Sequence, residues 1–266
     1  MRKLLLQLDS SPHPSVFDRV VAYDGGADEV MSYGGVTADA VRDLVHGAIF
    51  TRGPKDLHNT AIFIGGTDMA AGERLLEAAR KALFGPMRVS IMLDSNGSNT
   101  TAVAAVTKLQ KALAGDVTGR RVTITSRRAA DASLVEGLRQ RFGGSVRAIV
   151  LPDSTGAAAA LEGCEVLLNT GPAGVCLVPR PAWEGRAGLL AAADLNAVPP
   201  LGIEGIDVMD NGVEREGVAV FGALGVGGLK MKIHKACITR LFERNDLVLD
   251  AETIADVAKE LVAAQS

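Results

Sequence analysis

Hydrophobic and polar positions follow two different periods along this chain, and the two periods take turns. The continuous apolar runs "KLLLQLD", "TAIFIGG" and "RVSIMLD" are short enough to be strands buried on both faces. Between them "SVFDRVVA", "TADAVRDLVHGAIF", "DMAAGERLLEAARKALF" and "NTTAVAAVTKLQKALAG" repeat their apolar residues at the spacing of amphipathic helices. Thr37 and Ser98 stand where helix N-caps belong. Strands separated by helices of this length pair in parallel through βαβ crossovers, so the first half predicts an open α/β sheet.

The pattern resumes after the polar stretch "GDVTGRR", residues 115 to 121. It runs through "RVTITS", "AADASLVEGLRQRFG", "VRAIVLP", "AAALEGC", "EVLLNTG" and "GLLAAADLN", and ends in the helical "AETIADVAKELVAAQ". The expected organisation is two α/β domains with a cleft between them, residues 1–115 and 116–239, with 240–266 available to pack back on the first. In open parallel sheets, ligands sit at the C-terminal ends of the strands.

A formal charge of −3 gives no electrostatic reason to expect nucleic acid, and no Lys/Arg run marks a membrane surface. In "MRKLLLQLDS", Asp9 interrupts the apolar run too early for a signal peptide or a membrane span. Cys164, Cys176 and Cys237 are widely spaced, which offers neither a disulfide framework nor a zinc pattern and suits a reducing, cytoplasmic compartment. His13, His46, His58 and His234 also lie far apart, and no G-x-S-x-G, H-E-x-x-H or Walker loop occurs. Neither a metal site nor a hydrolase triad is expected.

Polar residues gather just after the expected strands and helices. "VVAYDGGADEV" supplies Tyr23 and Asp24, "IFIGGTDMAAGE" supplies Asp68, "IMLDSNGSNTT" supplies Asp94, Asn96 and Asn99, and "AAADLNAVPPLG" supplies Asp194 and Asn196. Glycine beside carboxylates and amides suits a small polar ligand met by backbone and side chain together, although turns and caps use the same residues. The segment 221–238, "FGALGVGGLKMKIHKACI", adds Gly227 and Gly228, which leave room for a flat ring near the backbone. In a helical register Lys230 and His234 share one face and Lys232 points elsewhere.

"SVFDRVVAYDGGAD", "TAIFIGGTDMAAGERLLEAARKALFGPMRVSIMLDSNGSNTTA", "DLNAVPPLGIEGID" and "FGALGVGGLKMKIHKACI" together cover most of the chain. They resemble the bacterial, methylotroph family of NAD(P)-dependent methylene-tetrahydromethanopterin and methylenetetrahydrofolate dehydrogenases. The resemblance implies a first domain that binds a reduced pterin one-carbon carrier, a tetrahydromethanopterin or tetrahydrofolate derivative. It implies a Rossmann-like second domain for NAD(P), hydride transfer from the carrier's methylene carbon to nicotinamide, and a homo-oligomer. A 2-amino-4-oxo-pterin presents two N–H donors side by side, which a carboxylate accepts together. By resemblance that carboxylate is Asp18 or Asp24, within an expected pterin-binding set of Asp18, Tyr23, Asp24, Asp94, Asn96, Asn99, Gly227 and Gly228. A family lysine near the pterin falls on Lys230 or Lys232.

The chain departs from this family where the dinucleotide would bind. Members carry a glycine-rich loop after the first strand of the second domain, whereas here "GRRVTIT" runs straight into "SRRAADASLVEGLRQRF" without a G-x-G-x-x-G. Gly171 and Gly174, in "NTGPAGVCL", follow a later strand. The expected architecture is a truncated Rossmann-like parallel sheet without its first βα unit, in which "VTITSRR" takes the family's second strand. Ser126, Arg127 and Arg128 then fall where a ribose 2′-phosphate would lie, and Thr170 and Gly171 complete the candidate cofactor residues. A basic turn without a cradle of backbone N–H groups is a poor pyrophosphate site. The expected function is a pterin-carrier protein that has given up its oxidant. It either hydrolyses the methenyl form, with Lys230, Lys232 or His234 acting on water, or only binds the carrier. The alternative is an NAD(P)-dependent dehydrogenase with a remodelled cofactor site.

Overall fold

The computed structural model describes residues 1–114, 119–127, 135, 139 and 145–264. Arg128 and most of the expected helix "AADASLVEGLRQRF" lie outside the described residues. The chain divides into two compact units, Met1–Thr101 with Met231–Ser266, and Ala102–Lys230.

The first unit is built on strands β1 (Leu4–Asp9), β2 (Glu29–Tyr33), β3 (Thr60–Gly65), β4 (Ser90–Leu93) and β11 (Val248–Leu249), in the order β11-β4-β3-β1-β2 and parallel throughout. β3 and β4 are buried at every position, as the continuous apolar runs require for strands covered on both faces. Around them stand α1 (Val16–Asp24), α2 (Ala38–Ile49), α3 (Met69–Ala82), the start of α4 (Ser98–Ala112) and a C-terminal helix introduced below. Leu8, Val41, Val45, Ile62, Ile64 and Ile91 are fully buried in one core between the sheet, α2 and α3.

Local chemistry sets the helix starts. Ser15 accepts from the backbone N–H of Asp18, and Asp68 accepts from that of Ala71. Thr37 is the N-cap residue of α2 by its extended backbone, though its side chain makes no capping bond. Ser98 is not a cap. Its backbone is already helical, and the orphan N–H of Thr100 is taken instead by the Asp94 carboxylate.

The second unit holds β5 (Val122–Ser126), β6 (Val146–Val150), β7 (Val166–Asn169), β8 (Ala191–Asp194), β9 (Asn211–Arg215) and β10 (Val218–Phe221), in the order β6-β5-β7-β8-β10-β9. All neighbours are parallel except β9 and β10. Short helices α5 (Ala157–Ala160) and α6 (Arg180–Trp183) pack with the buried Trp183, whose indole N–H donates to the Glu204 carbonyl at 2.9 Å. β9 and β10 join through Glu216 and Gly217, with φ of 49° and 76°, the paired left-handed angles of a tight hairpin turn. That hairpin, β2 and β11 lie outside the sequence-based strand list. β9 is exposed at four of its five positions and carries an Asn-Gly pair, so it has no apolar run to read.

The chain passes from one unit to the other inside α4 and again inside α7 (Ala223–Arg240), after which α8 (Ala251–Ala263) closes the fold behind an Asp250/Thr253 capping box. No helix among the described residues is long and apolar enough to cross a membrane.

Candidate functional site at the strand ends

In the first unit, carboxylates collect where the parallel strands finish. β1 ends in the buried Asp9, whose two oxygens accept from the backbone N–H groups of Ser11 at 2.8 Å and Ser15 at 3.0 Å. That anchors the turn into α1, and α1 in turn carries the half-buried Asp18. β3 ends in Gly65, where an added Cβ would stand 3.4 Å from Oδ2 of Asp9 and 3.5 Å from Oδ2 of Asp18. Two acidic side chains therefore meet at a strand end that has no side chain of its own.

Asp94, just past β4, is wholly buried. Its Oδ1 accepts from Thr100 N–H at 3.0 Å and its Oδ2 from the Thr100 hydroxyl at 2.6 Å, while Nδ1 of His234 lies 3.7 Å from Oδ2. The His234 imidazole is stacked on Phe63, with ring centres 5.4 Å apart and 18° between planes, and the tilted Phe17 ring has its centre 6.5 Å from that of His234. Burial and the Asp94 charge push the neighbouring Cys237 thiol up to about 12. Asn99 donates to the Leu93 carbonyl at 2.8 Å, and Asn96 takes a left-handed φ of 54° while its N–H donates to Gly66. Asp94, Asn96 and Asn99 thus form one folded turn whose bonds are largely internal.

Asp24 forms an ion pair with Lys235 at 2.7 Å. Tyr23 is exposed, with Arg19 5.9 Å over its ring. From Ala223 onward the glycine-rich segment is helical, as the start of α7. Its glycines do different jobs. A Cβ at Gly222 would stand 2.0 Å from the Asp207 carbonyl oxygen, and one at Gly225 1.9 Å from that of Asp210, so these two let the helix start pack against another backbone. Gly227 and Gly228 meet nothing within 4 Å. Lys230 is half-buried, Lys232 exposed and His234 fully buried.

In the second unit the candidate cofactor residues lie around a buried polar string. The Thr125 hydroxyl donates to Oδ1 of Asn169 at 2.9 Å, and Nδ2 of Asn169 donates to Oδ1 of Asp194 at 2.8 Å. Asp194 also accepts from the N–H groups of Asn196 and Ile203. Burial raises the Asp194 carboxyl, and these hydrogen bonds partly oppose the rise. Thr170 gives both its N–H and its hydroxyl to the Thr125 carbonyl. A Cβ at Gly171 would stand 2.8 Å from Leu177, and the Gly174 N–H donates to Val198. Ser126 ends β5, and the exposed Arg127 follows it. Among the described residues no group of three or more His, Cys, Asp or Glu could hold a metal ion.

Sequence reasoning passed over Asp9, Phe17, Thr100 and Asn169. Phe17 stands beside Asp18 in "SVFDRVV", where an aromatic next to a candidate ligand-binding acid was the available signal. Asn169 closes an apolar strand with an amide, the same kind of strand-end signal that singled out Asp194. Nothing local distinguishes Asp9 or Thr100, whose partners are set by the fold.

Residues 16–96 match the family model described as "Methylene-tetrahydromethanopterin dehydrogenase, N-terminal". The "Bifunctional protein MdtA" of Methylorubrum extorquens is 46% identical over 285 residues, covering 98% of this chain and 99% of the relative. The "NAD(P)-dependent methylenetetrahydromethanopterin dehydrogenase" of the same organism is 32% identical over 298 residues, again covering 98% and 99%. Among solved structures, the bifunctional FolD methylenetetrahydrofolate dehydrogenase/cyclohydrolase of Campylobacter jejuni aligns over 97% of this chain and 88% of its own with a TM-score of 0.53, at 11% identity, a likeness of fold. A 5,10-methylenetetrahydrofolate dehydrogenase from the silkworm Bombyx mori gives 0.52 at 10% identity, with coverage of 97% and 88%. With two whole-length relatives and a matching N-terminal domain, the chain belongs to the methylene-tetrahydromethanopterin dehydrogenase family of one-carbon metabolism.

Proposed function

We propose that this protein binds a methylene- or methenyl-pterin carrier through its first unit and does not use NAD(P) as a hydride acceptor. The observation that carries the reading is the way the second unit spends its strand-end hydrogen bonds. A pyrophosphate needs several convergent backbone N–H groups, usually at a glycine turn that opens a helix. Here the first turn is Ser126-Arg127, and the N–H groups of Thr170 and Gly174 in the later glycine loop already serve Thr125 and Val198. The buried Asp194 lies beside them, an acid where an anion would have to approach. The relatives align over 285 and 298 residues against a chain of 266, so each carries residues in the matched span that this chain lacks, which supports the loss of about one βα unit.

In the first unit, Asp18 is the proposed pterin carboxylate, because its Oδ2 reaches the end of β3 at Gly65, which has no side chain of its own. Of the two lysines, Lys230 is the half-buried one and lies one helical turn before His234. The reaction these groups suit is hydrolysis of the methenyl form. Water adds its oxygen to the cationic carbon, one carbon–nitrogen bond breaks and one proton leaves. No electrons are transferred, so no oxidant is required. A lysine of α7, Lys230 or Lys232, is the group assigned to act on that water.

The second reading, a dehydrogenase with a rebuilt nucleotide site at Ser126, Arg127, Thr170 and Gly171, is favoured by the 32% identical relative, which is named as an NAD(P)-dependent methylenetetrahydromethanopterin dehydrogenase. Calorimetric titration with NADP⁺, alone and with methenyl-tetrahydromethanopterin already bound, separates the two. Heat from the pterin and none from NADP⁺ is the expected result, and NADP⁺-dependent oxidation of methylene-tetrahydromethanopterin by the purified chain would overturn it.

A further inference from the structure

β9 is exposed at every position but its last, Arg215, and that side chain reaches a buried acid. Nε of Arg215 donates to Oδ2 of Asp210 at 2.9 Å and Nη2 donates to Oδ1 at 2.8 Å, a two-point grip on one carboxylate. Oδ2 also accepts from the Asp207 N–H at 2.8 Å, and the Asp210 N–H donates to the Asp207 carbonyl at 3.0 Å, so the pair closes the turn 207–210. That turn supports the N-terminus of α7. The Val208 carbonyl accepts from the N–H groups of Leu224 at 2.8 Å and Gly225 at 3.1 Å, first-turn donors for which a helix has no partner of its own. The Asp210 carbonyl accepts from the Gly222 N–H at 2.8 Å. Gly222 and Gly225 allow this close approach because neither carries a Cβ.

We propose that Arg215 is a positioning residue for the lysines of α7, acting through Asp210 and the turn 207–210. This rests on the reading that one of those lysines acts on water at the methenyl carbon. Gly225, Gly227 and Gly228 all fall in the first two turns of α7, and glycine is the poorest helix former after proline. Such a start is held by tertiary contacts and not by propensity. A Cβ at Gly227 or Gly228 would meet nothing within 4 Å, so the support of this stretch falls to the Val208 and Asp210 carbonyls. Lys230 comes two residues after Gly228, and a start that frays through the glycines takes the lysine out of its helical register. Arginine suits the task because its planar fork holds both oxygens of Asp210 at once, fixing direction as well as distance. A group that acts on water depends on that placement to within about an ångström.

The test compares the wild-type chain with Arg215→Met, which keeps the stem and drops the fork, and Arg215→Lys, which keeps only the charge. Residue-resolved amide hydrogen exchange in Arg215→Met should be about tenfold faster at Leu224 and Gly225 and unchanged at Ala192 in the buried β8. Hydrolysis of methenyl-tetrahydromethanopterin by the same variant should lose about tenfold in kcat, with KM within about twofold of wild type. Arg215→Lys should recover part of both losses. Wild-type exchange at Leu224 and Gly225 in Arg215→Met would overturn the clamp, and equal acceleration at Ala192 would assign the effect to global stability and overturn it as well. Faster local exchange with a wild-type kcat would overturn the positioning role and leave hydrolysis standing. A wild-type chain that binds the carrier without hydrolysing it would overturn the reaction, and the positioning role with it, while the exchange rates still decide the clamp.

Discussion

Oδ2 of Asp94 and Nδ1 of His234 stand 3.7 Å apart with neither side chain exposed, joining the end of β4 to the second half of α7 inside the first unit. The separation is too long for a hydrogen bond, so the carboxylate is satisfied chiefly by Thr100, and His234 adds its ring to a stack on Phe63. The arrangement makes Asp94 a structural acid around which one turn of backbone is folded.

Replacing Asp94 therefore tests the fold before it tests any chemistry. Asp94→Ala leaves the Thr100 N–H and hydroxyl without their acceptor and should cost about 1–3 kcal/mol for each unsatisfied donor. Thr100→Val, which removes only the hydroxyl bond, should cost about 1.5–3 kcal/mol. Urea unfolding of both variants and of their double mutant measures this, and additive losses would show that the two residues do not act as a pair.

The four glycines around the start of α7 should respond to alanine in opposite directions. Gly222→Ala and Gly225→Ala drive a methyl into the Asp207 and Asp210 carbonyls and should destabilise by about 3 kcal/mol or more. Gly227→Ala and Gly228→Ala meet open space inside a helix and should stabilise by about 0.5–1 kcal/mol. Thermal melts of the four variants will show the two opposite signs.

Asp18→Asn should lower affinity for methenyl-tetrahydromethanopterin by about 10- to 100-fold, the loss of a charge-assisted pair of hydrogen bonds. Asp24→Asn should change it by less than about threefold, because the carboxylate it removes is engaged in an exposed ion pair with Lys235. A reversed order would exchange their roles.

Glu165 predicts a pH dependence in the second unit. The backbone N–H of Arg121, then the Arg120 guanidinium, hold its carboxyl below the ordinary value of 4.5. A carboxyl depressed in the folded state stabilises it above the unfolded value, and that contribution is lost as pH falls. The melting temperature of Glu165→Gln should therefore lie below wild type at pH 7, and the gap should close as pH falls through the lowered value of the folded carboxyl. A constant gap across that range would assign the effect to packing.

Much of this architecture was legible because parallel strands buried on both faces must be apolar throughout. "TAIFIGG" and "RVSIMLD" read as strands for the same reason that β3 and β4 have no exposed residue. β11 escaped because two residues make no pattern, and the exposed β9 because an edge strand needs none. Candidate site residues were legible as types but not as roles. Asp18, Asp24 and Asp94 are equivalent in the sequence, and only their partners separate them: the end of β3, Lys235 and Thr100.

By itself the sequence determined two α/β units, the absence of a glycine-rich first turn in the second, and the run of glycines before Lys230. These are statements about composition and period, which a linear chain carries in full. Tertiary structure decided which glycines are packing contacts, which acid faces the end of β3, and that Phe17 stands in solvent beside a buried ring while His234 does not. Each of those depends on the approach of segments far apart in the chain, and the free energy of such contacts is set by distance and burial, which no local pattern encodes.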